Sequence, residues 1–288
     1  MRIRKTGFGL LLVLSLVWGL VATAAPQSQA RTETKKITLL KGEKYELKAF
    51  IGKFTSASSS KSSVIKIKKS SSRVVCTAKK AGKSTVIARM TGGTVYKYYF
   101  TVKSVKINCR AVSVHYTEGS LNTTSDVAVE VINKSGVYIN SVTVMLALYD
   151  SSGAVLEQKE YTFYDLVPGA KIYKLITYYG NPVVRIESVG KFKYSRSSAN
   201  VYSNESKKIS VTAQVSGESM TVNIRNNGKK NASGSADVVF YNANGEVVYV
   251  RPCSFYLKPK EATSTNITLY GDAVGATYQI YTRAYARS

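Results

Sequence analysis

Two segments decide the fold: 142–156 reads VTVMLALYDSSGAVL, and 236–248 reads ADVVFYNANGEVV. In each segment an apolar run ends at an Asp or Asn, a turn closes on Gly153 or Gly245, and a second apolar run begins at once. Asp and Asn accept hydrogen bonds from their own turn, and glycine adopts the left-handed conformation that such turns need. Both segments are therefore predicted to be β-hairpins.

The two hairpins belong to a longer repeat. Tyr149 and Tyr241 are 92 positions apart, and the two turn glycines keep the same spacing. The flanking segments correspond as well: VAVEVINKSG (127–136) and YDLVPG (164–169) match MTVNIRNNG (220–228) and FYLKPK (255–260). A repeat of this length exceeds the usual solenoid unit and indicates a duplicated domain.

The rest of the chain also alternates like β-strands, and helical periodicity is hard to find after residue 31. Many of the 21 tyrosines lie in such runs, as in TVYKYYFTV (94–102). We predict an all-β protein of three tandem small β-sandwich domains: module one (35–103), module two (105–195) and module three (206–288). KSVKIN (103–108) is too short for a flexible linker, whereas the polar stretch 195–208 predicts a hinge.

Module one contains Lys41-Gly42, Ser62-Ser63-Val64 and the stretch VCTAKKAGKSTVIA (75–88). In this order they resemble the bacterial immunoglobulin-like group 2 family, although Phe54 stands where that family often has tryptophan and the module is short for the family. The resemblance implies an immunoglobulin-like sandwich of the kind common in surface adhesins and wall-attached proteins.

Modules two and three resemble the secreted bacterial modules named for a Phe-x-Leu-Tyr-Asp signature. Module two has Leu148-Tyr149-Asp150 and the loop Leu166-Val167-Pro168-Gly169, and both modules have the Asn-containing turn before the hairpin. Module three departs from the pattern at Asn242, where the family has Asp, and at Lys260, where it has the loop glycine.

The N-terminus predicts export. Basic residues in MRIRK precede the apolar run 8–25, which ends in small residues, so we expect residues 1–24 to be a signal peptide cleaved after Ala24. Cleavage near Ser28 and Ala30, or retention of the run as an anchor, are the alternatives. No further transmembrane segment, lipid-anchor cysteine or C-terminal sorting signal is expected. The predicted location is secreted, with association to the cell wall.

The formal charge of +24 makes the chain strongly basic. Such a charge attracts polyanions, and for an exported protein these are teichoic acids or anionic lipid headgroups rather than nucleic acid. The predicted polyanion-binding residues are lysines of module one: Lys66, Lys68, Lys69, Lys79, Lys80 and Lys83. The alternative is a solvated lysine surface that binds nothing in particular.

Tyr96 and Tyr98 alternate along one strand and therefore point the same way. Aromatic faces stack on sugars, so the pair predicts a carbohydrate platform. Packing in the sandwich core is the alternative.

The inventory of reactive residues argues against catalysis. His115 is the single histidine, and the aspartates lie mainly at turns, where Asp150 is expected to cap its hairpin rather than bind calcium. Cys76, Cys109 and Cys253 lie one in each module and are expected to be small buried residues, with a bridge between modules or a reactive thiol as alternatives. We predict a protein that is not an enzyme and uses no metal or cofactor.

These features together predict an adhesion or scaffold protein of the bacterial surface, whose partners are anionic envelope polymers or another surface protein. The alternative is a carbohydrate-binding protein that uses surface tyrosines.

Overall fold

The computed structural model describes residues 31–49, 51–118, 123–196 and 202–287, so the predicted signal peptide lies outside the described residues. Within them the regular structure consists of twenty strands and two short 3₁₀ turns, at Ser206–Lys208 and Gly271–Ala273. The strands form several small sheets that pack as sandwiches, which confirms the predicted all-β class. None of the described segments is a helix with the length and apolarity needed to cross a membrane.

Module one is built from seven strands in two sheets, ordered β1-β7-β6-β3 and β2-β5-β4. Strand β1 pairs with β7 in parallel, and the other pairs are antiparallel. The core lies between the sheets and includes Leu47, Ile65, Val74, Val86 and Phe100. The strands are β1 (Thr32–Leu40), β2 (Lys44–Lys48), β3 (Phe54–Ser59), β4 (Ile65–Lys69), β5 (Arg73–Ala78), β6 (Gly82–Met90) and β7 (Val95–Lys103).

Modules two and three share one strand order, as a duplicated domain requires. The sheets of module two are β11-β10-β13 and β12-β9-β8, and those of module three are β18-β17-β20, extended by β14, and β19-β16-β15. Module two contains β8 (Ile107–Glu118), β9 (Thr123–Asn133), β10 (Ile139–Tyr149), β11 (Val155–Leu166), β12 (Lys171–Gly180) and β13 (Arg185–Ser195). Module three contains β14 (Tyr202–Asn204), β15 (Ile209–Ser216), β16 (Ser219–Asn226), β17 (Ala232–Tyr241), β18 (Val247–Leu257), β19 (Ala262–Thr268) and β20 (Thr277–Arg287).

The two hairpins, at 142–156 and 236–248, have the same turn. The side-chain oxygen of Asp150 accepts hydrogen bonds from the backbone N–H groups two and four residues later, both at 2.9 Å. Asn242 does the same at 3.0 and 2.9 Å. Gly153 and Gly245 have φ values of +83° and +78°. Asp150 therefore caps its turn as predicted.

The loop after the second hairpin strand places different residue types at one position in the two copies. The backbone N–H of Gly169 donates to the carbonyl of Asn133 at 2.9 Å, and that of Lys260 donates to the carbonyl of Asn226 at 2.8 Å. Gly169 has φ +79°, and Lys260 has φ +68° although it carries a side chain. An L-residue in this left-handed region costs about 1–2 kcal/mol, so at this loop position module three holds strain that module two does not. Module two has its own left-handed residue, Asp165 with φ +54°, four positions earlier.

Replacing Lys260 with glycine is expected to raise the free energy of unfolding by about 0.5–1 kcal/mol, because the relieved strain exceeds the entropy cost of glycine in the unfolded chain. The change also removes the bond from Lys260 Nζ to the carbonyl of Asn227 at 2.9 Å, which is exposed and weak. Urea denaturation measures the difference. The reciprocal change Gly169→Lys should lower the stability, and a stability unchanged by both would contradict the strain at this position.

A largely buried ion pair links module one to the segment that follows module two. Arg196 Nη1 lies 2.7 Å from Glu43 Oε2, and both side chains are 12% exposed. The same arginine donates from Nε to the carbonyl of Tyr138 at 3.1 Å. Leu40, at the end of β1, is buried in the core cluster of module two. These contacts agree with the stiff coupling that the short connection predicts.

Modules two and three also pack against each other, so the hinge predicted over 195–208 is wrong, although residues 197–201 lie outside the described part of the chain. Ala128 and Tyr173 of module two form a buried apolar cluster with Val239 and Val247 of module three. A polar connection indicates freedom of the backbone that joins two domains. It does not report whether their faces fit together.

The three cysteines are free thiols. Cys76 and Cys253 are buried in the cores of their modules, and Cys109 is half-buried. Burial raises the pKa of Cys76 to about 12 and that of Cys109 to about 11, which keeps both protonated at neutral pH. They act as the small apolar residues that we predicted.

Candidate functional site: a basic sheet face in module one

The outer surface of sheet β2-β5-β4 carries five cationic side chains and one carboxylate, and we call it the basic face. Its strands alternate between buried residues and exposed charged ones, as in KYELK of β2 and IKIKK of β4. Because successive side chains of a strand point to opposite faces, the charged residues share the surface away from the core. The basic face consists of Lys44, Glu46, Lys48, Lys66, Lys68 and Arg73.

The strand register arranges these charges around a shallow trough. Lys44 of β2 and Lys66 of β4 both pair with Thr77 of the central strand β5. In the next row Val75 lies between Glu46 and Lys68. Since neighbouring strands are about 5 Å apart, the flanking residues lie about 10 Å from each other with a short side chain between them. A linear ligand lying along β5 would meet lysines on both sides.

Few of these charges are neutralised within the protein. Arg73 Nη1 lies 3.5 Å from Glu46 Oε1, and both side chains are partly exposed. Among the described residues the four lysines of the face have no carboxylate within salt-bridge distance. Their ammonium groups are hydrated and remain available to an external anion.

A groove of about 880 Å³ adjoins the trough and extends the positive surface. Lys44, Lys68 and Arg73 of the basic face line it together with Lys35 and Lys36, which lie on β1 of the other sheet. Arg196 also lines the groove, but its guanidinium is bound to Glu43. The groove therefore presents cations from both sheets along one side of the sandwich.

The structure divides the six lysines predicted from the sequence. Lys66 and Lys68 lie on the basic face, and Lys69 lies beside it with Nζ donating to the carbonyl of Phe54 at 3.2 Å. Lys79 and Lys80 are exposed at the turn between β5 and β6. Lys83 lies on the outer surface of the opposite sheet, because β6 pairs with β7 and not with β5. The six do not form a single surface.

Lys44, Lys48 and Arg73 complete the basic face and were not among the predicted residues. The alternation in KYELK indicates that Lys44 and Lys48 share a strand surface. Nothing in that segment indicates that β5 lies between β2 and β4, since this order depends on pairing over a distance in sequence.

The predicted sugar platform at Tyr96 and Tyr98 is wrong, because both rings point into the sandwich. Tyr98 is 5% exposed, and its hydroxyl donates to Glu33 Oε1 at 2.8 Å. Burial, followed by the hydrogen bond to Glu33, raises the pKa of Tyr98. Tyr96 packs against Phe54 with ring centroids 6.1 Å apart. The alternation shows that the two rings share a face, and here it is the face turned to the core.

His115 connects two modules. Its Nε2 lies 2.9 Å from Asp272 Oδ2, and its Nδ1 lies 3.4 Å from Glu246 Oε2. Both carboxylates belong to module three, whereas the histidine lies on β8 of module two. The hydrogen bond from Asn242, followed by the contact with His115, lowers the pKa of Glu246. The contacts give His115 a structural role at the junction.

No model of a known protein family matches the chain, and no curated protein matches it either. The fold and the basic face together define a class, that of proteins built from tandem β-sandwich modules with one positively charged sheet face. Within the described residues no group of three or more His, Cys, Asp or Glu side chains is arranged to hold a metal ion.

Proposed function

We propose that this protein is an exported, non-catalytic protein of the bacterial surface whose sandwich modules present the basic face to anionic polymers of the cell envelope. The observation that carries the proposal is the trough along β5, with unneutralised lysines on both sides. The N-terminal sequence supports export, and the overall charge of +24 supports an anionic partner. The resemblances to immunoglobulin-like and Phe-x-Leu-Tyr-Asp modules point to the same surface setting.

The shape of the basic face favours a polymer over a compact ligand. The trough is open along the strand. On β4 the cations Lys66 and Lys68 are two residues apart, and on β2 Lys44 and Lys48 lie on either side of Glu46. Successive outward residues of one strand are about 7 Å apart, which is of the same order as the separation of charges in a polymer of phosphodiesters. Each exposed contact contributes little by itself, so several contacts along one chain are needed for useful affinity.

Charge reversal on the basic face should abolish most of this binding. We expect Lys66→Glu combined with Lys68→Glu to weaken binding of purified poly(glycerol phosphate) teichoic acid at least tenfold at 0.15 M salt, because two attractions become repulsions. Binding of the full mature chain to the immobilised polymer measures the effect. The matched control is Lys229→Glu combined with Lys258→Glu, which changes the charge equally at exposed positions of module three.

The control variant should bind within about threefold of the unchanged protein, and 1 M salt, where the Debye length is about 3 Å, should release the complex. An equal loss in both variants would mean that net charge acts without a site, and this would contradict the role of the basic face. The absence of saturable binding by the unchanged protein would overturn the proposal itself.

A further inference from the structure

A cleft of about 660 Å³ lies in module three, beside the short edge strand β14. Tyrosines from three different strands line it: Tyr202 of β14, Tyr256 of β18 and Tyr285 of β20. The cleft is far from the basic face in the sequence and belongs to another module. None of the residues that the sequence analysis selected for binding lies in it.

The strand register places two of these rings on either side of a small residue. Ser233 of β17 pairs with Tyr256 on one side and with Tyr285 on the other. Directly paired residues point to the same face of a sheet, so the two tyrosines flank the serine with their backbones about 10 Å apart. The serine forms a low floor between two aromatic walls.

The ring of Tyr285 is packed against other rings, whereas the ring of Tyr256 is exposed to solvent. Tyr285 packs against Tyr202 and against Tyr138 of module two, with ring centroids 5.3 and 4.8 Å away. Tyr256 is 63% exposed. Its hydroxyl accepts a hydrogen bond from Asn231 Nδ2 at 2.9 Å, which orients a ring that has no packing requirement of its own. Tyr256 is therefore an exposed ring that the fold holds in a defined orientation.

The charged groups that line the cleft are cationic. Lys230 and Arg287 line the cleft and are exposed. Among the described residues that line it, none carries a carboxylate. The cleft therefore offers an aromatic face, amide and hydroxyl groups, and two positive charges within one small volume.

We propose that this cleft binds an acidic saccharide, that is, a sugar ring bearing a carboxylate or a phosphate. The ring would stack on Tyr256 above Ser233, and the anionic group would pair with Lys230 and Arg287. A neutral sugar would leave both cations unused, and a simple polyanion would leave the aromatic face unused. The inference concerns a different module and a different chemistry from the proposed function, so either can fail without the other.

Titration calorimetry with the full mature chain at 0.15 M salt tests the proposal with three probes. These are tetragalacturonate, which carries carboxylates, trehalose 6-phosphate, which carries a phosphate, and maltotetraose, which is neutral. We expect at least one acidic probe to bind at least tenfold more tightly than maltotetraose. Preference for one of the two identifies the anionic group.

Tyr256→Ala should weaken binding of the acidic probe at least tenfold, because the ring on which the sugar stacks is removed. Tyr256→Phe keeps the ring and should remain within about threefold. The matched control is Tyr270→Ala, which removes a tyrosine that is 70% exposed in the same module but outside the cleft. Lys230→Gln should weaken binding of the acidic probe and reduce the dependence of its affinity on salt.

Three results would overturn the proposal. The first is that neither acidic probe binds. The second is that the Tyr256→Ala variant binds the acidic probe as well as the Tyr270→Ala control does. The third is that the neutral saccharide binds as tightly as the acidic ones. The Lys66→Glu and Lys68→Glu variant described above should bind the acidic probe unchanged, which separates this cleft from the basic face.

Discussion

Replacing Asn226 with alanine is expected to lower the free energy of unfolding of module three by about 3 kcal/mol. The side chain is 1% exposed, and its amide nitrogen donates to the carbonyls of Lys230, Leu257 and Lys258 at 2.8, 3.1 and 3.1 Å. Its oxygen accepts from the N–H of Gly228 at 2.9 Å. Alanine removes all four bonds. The carbonyl of Lys258 still accepts from the N–H of Glu261, but the other backbone groups lose this partner, and each unsatisfied buried group costs about 1 kcal/mol or more.

The copy in module two offers an internal repetition of this experiment. Asn133 is also 1% exposed, donates to the carbonyls of Val137 and Leu166, both at 2.7 Å, and accepts from Ser135 at 2.9 Å. Asn133→Ala should therefore destabilise module two by a similar amount. Each asparagine holds the turn before its hairpin against the loop after it, which explains why both positions carry the same residue.

A replacement of the same shape tests whether the hydrogen bonds donated by the Asn226 amide account for the loss of stability. Asn226→Asp should be at least as harmful as alanine, because a carboxylate would face three carbonyl oxygens instead of donating to them. The control is Asn244→Ala, an exposed position in the hairpin turn, which should change the stability by less than about 0.5 kcal/mol. Thermal and urea unfolding measure all three, and a tolerated Asn226→Asp would contradict the donor role.

Asn133 and Asn226 illustrate which features of the fold can be predicted from the sequence. Its place in the repeat, next to the predicted turn and hairpin, could be read from the spacing of NKSG and NNGK. Local alternation and turn residues also predicted the strands and the cap at Asp150. These features depend on neighbours in sequence, where residue type constrains the backbone directly.

The features that escaped prediction depend on contacts that are distant in sequence. Alternation placed Tyr96 and Tyr98 on a common face without indicating that this face is the core. Lys44 and Lys66 become neighbours across β5 only through the strand order, and Tyr256 faces Tyr285 only through β17. The family resemblances concern individual modules and contain no information on how these modules pack.

Packing between modules two and three uses different sheets of the two copies. Module two contributes the outer face of β12-β9-β8, and module three contributes the outer face of the sheet that contains β17 and β20. The strand register identifies the counterparts of the docking residues in module three. The docking residues Ala128, Glu130, Tyr173 and Leu175 of module two correspond to Thr221, Asn223, Ser264 and Asn266 of module three. The corresponding face of module three is therefore polar and lacks the residues that module two uses for docking.

Glu130 is the charged centre of this docking face. Its side chain is fully buried, and its carboxylate is bound by Arg110 Nε at 2.8 Å, Lys171 Nζ at 2.9 Å and the hydroxyl of Tyr173 at 2.7 Å. Tyr173 in turn packs on Tyr281 of module three, with ring centroids 4.7 Å apart. The carboxylate therefore holds in place the residues through which the two modules touch.

Glu130→Ala is expected to lower the free energy of unfolding by about 3 kcal/mol, because the hydrogen bonds to a charged acceptor are lost and the Tyr173 hydroxyl is left buried. The effect should depend on pH. Burial alone would raise the pKa of Glu130, but the hydrogen bonds from Lys171, Arg110 and Tyr173 outweigh it and lower the pKa from 4.5 to about 2. A carboxylate with a lowered folded-state pKa stabilises the fold above its unfolded-state pKa, so this contribution is complete above about pH 5 and is lost as the pH falls toward 2.

Glu130→Gln separates the charge from the shape, since it fills the same space without titrating. The difference in unfolding free energy between the unchanged protein and this variant should be largest near pH 7 and should vanish as the pH approaches 2. Glu160→Gln is the matched control, because Glu160 pairs with Lys193 at the surface, where both side chains are largely hydrated and the pair contributes little. A difference between the unchanged protein and Glu130→Gln that stays constant from pH 7 to pH 2 would show that the carboxylate is not held ionised by its partners, and that apolar contacts alone position the docking face.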